Sequence, residues 1–118
     1  MQGNVSFIEL GSAQTDTTTS QLFFQQVFGW HFHSMPQGGG WFQTPLIRVG
    51  LHGNDPGEQI YVFFEVPNLE EAMATVRGAG GEADPPMTEE PGFGRFASCR
   101  DPQGIRFGLH QKALCDSS

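Results

Sequence analysis

Glu9, Glu65, Arg48, Arg106, His52 and His110 are the side chains of this sequence best placed to do chemistry together. Each sits in a short run of strand-forming residues, and alternation along those runs puts all six on one parity. Phe7, Tyr61, Phe63, Gly50 and Gly108 share it. Rings, carboxylates, guanidinium groups and imidazoles lining one cleft can sandwich a planar organic molecule and orient it with a few polar contacts. The opposite parity is apolar: Ile8, Leu10, Val49, Leu51, Val62, Phe64, Val66, Phe107 and Leu109. That set should face helices.

The elements carrying these residues can be read in order. Val5 to Leu10 alternates as a strand, and Asp16 or Thr17 caps a helix to Phe28 whose stripe is Phe23, Phe24, Val27 and Phe28. Gly29 ends it. Strands are expected at Trp30–Met35, Trp41–Thr44 and Leu46–His52, with Pro36-Gln37-Gly38-Gly39-Gly40 as a loop. Gly53-Asn54-Asp55-Pro56-Gly57 reads as a linker.

The order then repeats. Ile60–Val66 is a strand whose Phe-Phe-Glu-Val echoes Phe-Ile-Glu-Leu at 7–10. Asn68 and Glu71 form a capping box ahead of Leu69, Met73 and Val76, and Gly80-Gly81 stops that helix. Strands follow at Glu82–Met87, Gly94–Cys99 and Ile105–His110, the last delivered by the tight turn Asp101-Pro102-Gln103-Gly104. The expected fold is α+β: paired βαβββ modules, about 4–52 and 60–111, forming a curved mixed sheet around a cleft with helices on the outer face. The 118 residues suit a single domain of that kind.

Bulk properties remove several functions. A net charge of −7 with 6 Lys+Arg repels polyanions, so no nucleic-acid partner is expected. Apolar runs are far shorter than the ~20 residues that span a bilayer, and the start lacks signal-peptide features, which predicts a cytoplasmic protein without a membrane partner. Cys99 and Cys115 are too few for a disulfide scaffold. No serine lies in a nucleophile-elbow pattern, and Gly38-Gly39-Gly40 lacks the lysine and helix of a phosphate loop. Asp84-Pro85-Pro86 and Glu89-Glu90-Pro91 read as turns.

Phe23-Phe24-Gln25-Gln26-Val27-Phe28-Gly29-Trp30 resembles the "FY…VFGW" stretch of the vicinal oxygen chelate superfamily, which includes glyoxalase I, bleomycin-resistance proteins and extradiol dioxygenases. Asp16 takes the place of the acidic residue opening that helix, and Gly92–Ala97 with Asp101–Gly104 resembles the closing hairpin and turn. The resemblance implies the paired βαβββ module and a divalent metal held on four strands. Carried over, the ligand positions fall on Phe7 (or Val5), Gly50, Tyr61 and Gly108. Phe, Val and Gly offer no side-chain donor, and tyrosine is a poor ligand unless ionised. No metal or other cofactor is therefore expected.

The leading expectation is a metal-independent protein that binds a small, partly aromatic organic ligand. Phe7, Glu9, Trp30, Trp41, Arg48, Tyr61, Phe63, Arg106 and His110 are its candidate contacts, with Phe42 adding to the aromatic wall. Glu9 and Glu65 could instead pair with Arg48 and Arg106, while His52 and His110, near strand ends, would be solvated. Gly50 and Gly108 leave room for a ligand or relieve crowding. One alternative is a metal-dependent lyase, isomerase or dioxygenase with displaced ligands Glu9, His52 and His110, each two residues beyond a family position. His31 and His33 form a further strand-spaced pair. Another alternative is a non-catalytic subunit. In the superfamily this chain resembles, modules pair within one chain or across two, so a homodimer is expected in which the two modules are self-sufficient or swap with a partner's; Trp41, Phe42 and Phe93, read as exposed loop residues, suit its interface.

Overall fold

The computed structural model describes residues 3–36, 38–57, 60–87 and 89–113, so Gln37 and Cys115 lie outside it. Ten elements follow the expected order: β1 (Val5–Gly11), α1 (Thr18–Phe28), β2 (His31–Ser34), β3 (Gly40–Gln43), β4 (Arg48–His52), β5 (Ile60–Glu65), α2 (Leu69–Gly78), β6 (Glu82–Ala83), β7 (Gly94–Arg100) and β8 (Arg106–Lys112). The class is α+β, with βαβββ written twice. Chain contacts divide into a first unit, Phe7–Tyr61, and a second made of Met1–Ser6 with Val62–Ser118.

In the first unit the strand order is β2-β3-β4-β1, with β1 parallel to β4 and the other pairs antiparallel. One face builds the core. Phe42, Val49 and Leu51 are buried there against Ile8, Leu10, Phe24, Trp30, Phe32 and Ile47. Asp16 tethers the start of α1, its Oδ1 accepting from the Thr18 amide at 2.9 Å and hydroxyl at 2.7 Å. Gly29, at φ 72°, closes the helix by donating to the Gln25 carbonyl. Of the expected stripe only Phe24 reaches the core. Phe23, Val27 and Phe28 are 58%, 53% and 56% exposed, so the helix seats one ring rather than a full face.

In the second unit the order is β5-β8-β7-β6, again with one parallel pair, β5 with β8. Val66, Leu69, Met73, Ala97, Cys99 and Leu109 form its core. Asn68 caps α2 by accepting from the Glu71 amide at 2.9 Å, and Gln111 Oε1 takes the Leu69 amide at 2.7 Å. The N-terminal segment joins this unit, through Gly3 N to Glu65 O and Glu65 N to Asn4 O. Asp101 organises the last turn as expected, its Oδ1 accepting from the amides of Gln103 and Ile105.

Several boundaries move for local reasons. The strand expected over Glu82–Met87 stops at Ala83, because Pro85 and Pro86 have no amide hydrogen for the ladder. Thr44 belongs to a turn instead of a strand: its amide and hydroxyl both bond the Ile47 carbonyl. Gly53–Gly57 is not a loose linker. Asn54 N donates to Gln14 O, Asp55 N to Ser12 O, and Thr15 Oγ1 to Asn54 Oδ1.

Candidate functional site

On the face of the first unit turned away from its core, register fixes which side chains meet. Phe7 stands opposite Arg48, Glu9 opposite Gly50, and Trp41 on the other side of Gly50. Gly50 has no Cβ because the Glu9 carboxylate occupies that volume; any Cβ there would collide with it. Crowding, and not an open ligand space, is the reason for this glycine. A Cβ on Gly11 would likewise displace the Asp55 carboxylate.

These two glycines let a polar chain form. His52 Nδ1 lies 2.6 Å from Glu9 Oε2, and its Nε2 lies 3.1 Å from Asp55 Oδ2. Asp55 also accepts from the Gly57 amide at 2.9 Å and from the Tyr61 hydroxyl. Both nitrogens of His52 can donate at once only in the imidazolium form, so the arrangement selects the charged ring. Burial opposes that charge, yet the Glu9 and Asp55 carboxylates together outweigh it and hold the pKa above the ordinary imidazole value. Burial, aided by the Asp55 charge, lifts the Glu9 carboxyl above the usual carboxylate range despite the opposing pull of His52. The Gly57 amide, with the His52 and Tyr61 contacts, keeps Asp55 below that range against desolvation.

Beside this chain lies a second cluster. The His33 and Trp41 rings stack at 4.0 Å with 14° between planes, and Arg48 Cζ is 4.9 Å from the indole centroid. His31 meets His33 edge-on at 4.8 Å. Side-chain exposure is 40% for His52 and 24% for Glu9, so a solute can reach both.

The sequence-predicted residues are thus placed unevenly. Glu9, Trp41, Arg48 and Phe7 share the described face, and Tyr61 reaches Asp55. Trp30 and Phe42 do not line it: both pack in the helix-side core, where Trp30 stacks on Phe28 at 4.5 Å and Phe42 is fully buried. In the second unit Phe63 is buried over Gly108, whose missing Cβ makes room for that ring, and meets Phe96 edge-on at 5.1 Å. Arg106 is exposed and stands opposite Arg100. His110 is not solvated; it is 4% exposed, with Ser6 and the Phe93 carbonyl on its two nitrogens. The expected arginine partners are replaced: Glu9 pairs with His52, and Glu65 with Lys112 at 3.5 Å.

Asp55 was missed. Its composition of neighbours signals a linker, although its place three residues after His52, following Asn54 at φ 58°, marks a turn that returns a side chain to the strand end.

The superfamily's metal positions do not fit an ion. Phe7 is apolar, Gly50 and Gly108 are filled by neighbouring side chains, and Tyr61 bonds Asp55. Among the described residues no group of three His, Cys, Asp or Glu side chains is arranged to hold one. Glu9 and His52 meet as a hydrogen-bonded pair, spending on each other the atoms a cation would use.

Comparison with solved structures agrees with this architecture. Methylmalonyl-CoA epimerase from Mycobacterium tuberculosis superposes with a TM-score of 0.74 at 12% identity, over 95% of this chain and 89% of that one. A hypothetical protein from Bacillus halodurans C-125 gives 0.74 at 13%, over 94% and 95%. Homoprotocatechuate 2,3-dioxygenase from Brevibacterium fuscum, solved with 3,4-dihydroxyphenylacetate, gives 0.74 at 17% over 95% of this chain and 37% of that longer one. The chain shares the fold of these epimerase and dioxygenase structures. No protein-family model and no curated protein matches the sequence.

Proposed function

We propose that the protein binds a small, partly aromatic organic ligand without a metal ion, on the first-unit face that carries Trp41, Arg48, Glu9 and His52. The supporting observation is the reachable His52, fixed between Glu9 and Asp55 beside the Trp41–Arg48 cluster. A polar group whose geometry is set beforehand gives up little freedom on binding, and a rigid indole adds apolar area. A dioxygenase of the same fold holds 3,4-dihydroxyphenylacetate, an aromatic ligand, which is consistent with this class. His52 offers donor hydrogens to a ligand acceptor such as a carbonyl or carboxylate only by sharing them with Glu9 and Asp55.

Assembly as a homodimer belongs to the same reading. Leu22, Phe23, Val27 and Phe28 are each more than half exposed on a helix without a charged side chain. Two copies can meet there without bringing like charges of that helix face to face. The cytoplasm remains the proposed location, and among the described residues no helix is long and apolar enough to cross a membrane.

Thermal-shift screening with aromatic carboxylates, phenols and aromatic amines tests the binding. A saturable rise in melting temperature, lost in Trp41→Ala, is expected. A flat response across the panel favours the non-catalytic subunit. Metal analysis of protein purified without a histidine tag separates the metal-dependent alternative: stoichiometric Zn, Ni, Fe or Mn overturns the proposal.

A further inference from the structure

His110 and Ser6 both belong to the second unit. The two nitrogens of His110 have partners of different kinds. Nε2 is 2.6 Å from the Phe93 carbonyl oxygen, which can only accept, so Nε2 carries the hydrogen. In the neutral ring Nδ1 is then a bare lone pair. Ser6 Oγ, 2.8 Å away, therefore donates its proton to Nδ1. Hydroxyl, imidazole and an orienting acceptor in sequence are the parts that activate a serine nucleophile, here with a backbone carbonyl in the third place.

Two further contacts bear on the charged form of the ring. Phe96 stacks face to face on His110, with centroids 4.3 Å apart and 5° between planes. A phenyl face attracts the imidazolium that forms once Nδ1 has taken a proton. Phe63 meets the Phe96 ring edge-on. His110 itself is buried, whereas Ser6 is only partly so.

The geometry points to Ser6 as an acylatable nucleophile, with His110 as its base, acting on activated esters such as aryl esters. Ser6 Oγ bonds to the acyl carbon while its proton passes to His110 Nδ1. The bond between the acyl carbon and the aryloxy oxygen then breaks, and the departing aryloxide oxygen takes that proton. Water repeats the sequence on the acyl-serine, releasing the carboxylic acid and restoring the hydroxyl.

A fluorophosphonate probe on the full-length protein, followed by peptide mass spectrometry, tests this. The expected result is a single adduct on Ser6, absent in Ser6→Ala and slowed about 100-fold in His110→Gln, the scale of a general-base contribution. Should His110→Gln not fold, labelling of the wild type in urea replaces it, and the preference for Ser6 over other serines must vanish on unfolding. No adduct at Ser6, equal labelling of other serines in the native protein, or a folded His110→Gln labelled at the wild-type rate each overturns the assignment. None of these results touches Trp41, so ligand binding at the first unit stands or falls separately.

Discussion

The Glu9 carboxylate occupies the volume that a Cβ on Gly50 would need, across a register pair of the parallel strands β1 and β4. Strand pairing and the Glu9–His52 bond thus depend on the same missing methyl group. Neither position can be understood alone.

Gly50→Ala follows directly. The new Cβ must push the carboxylate, the far end of a flexible side chain, off His52, so the cost is the hydrogen bond lost, about 0.5–1.5 kcal/mol. Chemical denaturation should show a loss of that order, and Gly50→Ala should cost less in a Glu9→Ala background. Equal stability of Gly50→Ala and wild type would place Glu9 elsewhere.

Stability should fall as pH rises through the neutral range. Glu9 and His52 both have pKa values above their ordinary ones, so the folded state holds more protons than the unfolded state. For His52 the stabilisation is complete below the ordinary imidazole value of about 6.5 and is lost as pH passes the raised folded value. The Glu9 contribution has the same sign and starts lower, at the ordinary carboxyl value. Denaturant midpoints from pH 4 upward measure this (pH chosen about the ordinary carboxyl value), and NMR titration of His52 should give a midpoint that drops in Glu9→Gln.

Gln111→Ala removes the acceptor of the Leu69 amide, at the first residue of α2 and fully buried. An amide left without a partner there costs roughly 1–3 kcal/mol. Hydrogen exchange at Leu69 should accelerate together with the drop in stability. Unchanged exchange would mean that Asn68 alone holds the helix start.

Cys99 should be inert in the native state. It is 3% exposed, and burial, with the nearby Asp84 charge, pushes its thiol pKa up. In a Cys115→Ser background a thiol reagent should react with Cys99 only at the rate of unfolding. Fast labelling without denaturant contradicts the packing given for β7.

Local patterns carried most of the architecture. Alternation in Arg48–His52 sends Val49 and Leu51 into the core because successive strand side chains point oppositely, whereas Phe7 and Phe63, on the parity expected to line a cleft, are themselves buried. Asn68, Asp16, Gly29 and Asp101 mark helix starts, a helix end and a turn through backbone bonds that each residue makes within a few positions. These signals need no distant partner. Partners were decided by the fold. Which cation meets Glu9 depends on the β1–β4 register, and that register seats His52 rather than an arginine. The burial of His110 depends on Ser6, 104 positions away in sequence, and on Phe93 in another turn. Trp30 went to the core because the close of α1 aims it at Phe28 and Phe42, a direction no periodicity encodes. Asp55 entered the site for the same reason: its loop is tied back to Ser12 and Gln14, and only that long-range tether turns a linker composition into a carboxylate beside an imidazole.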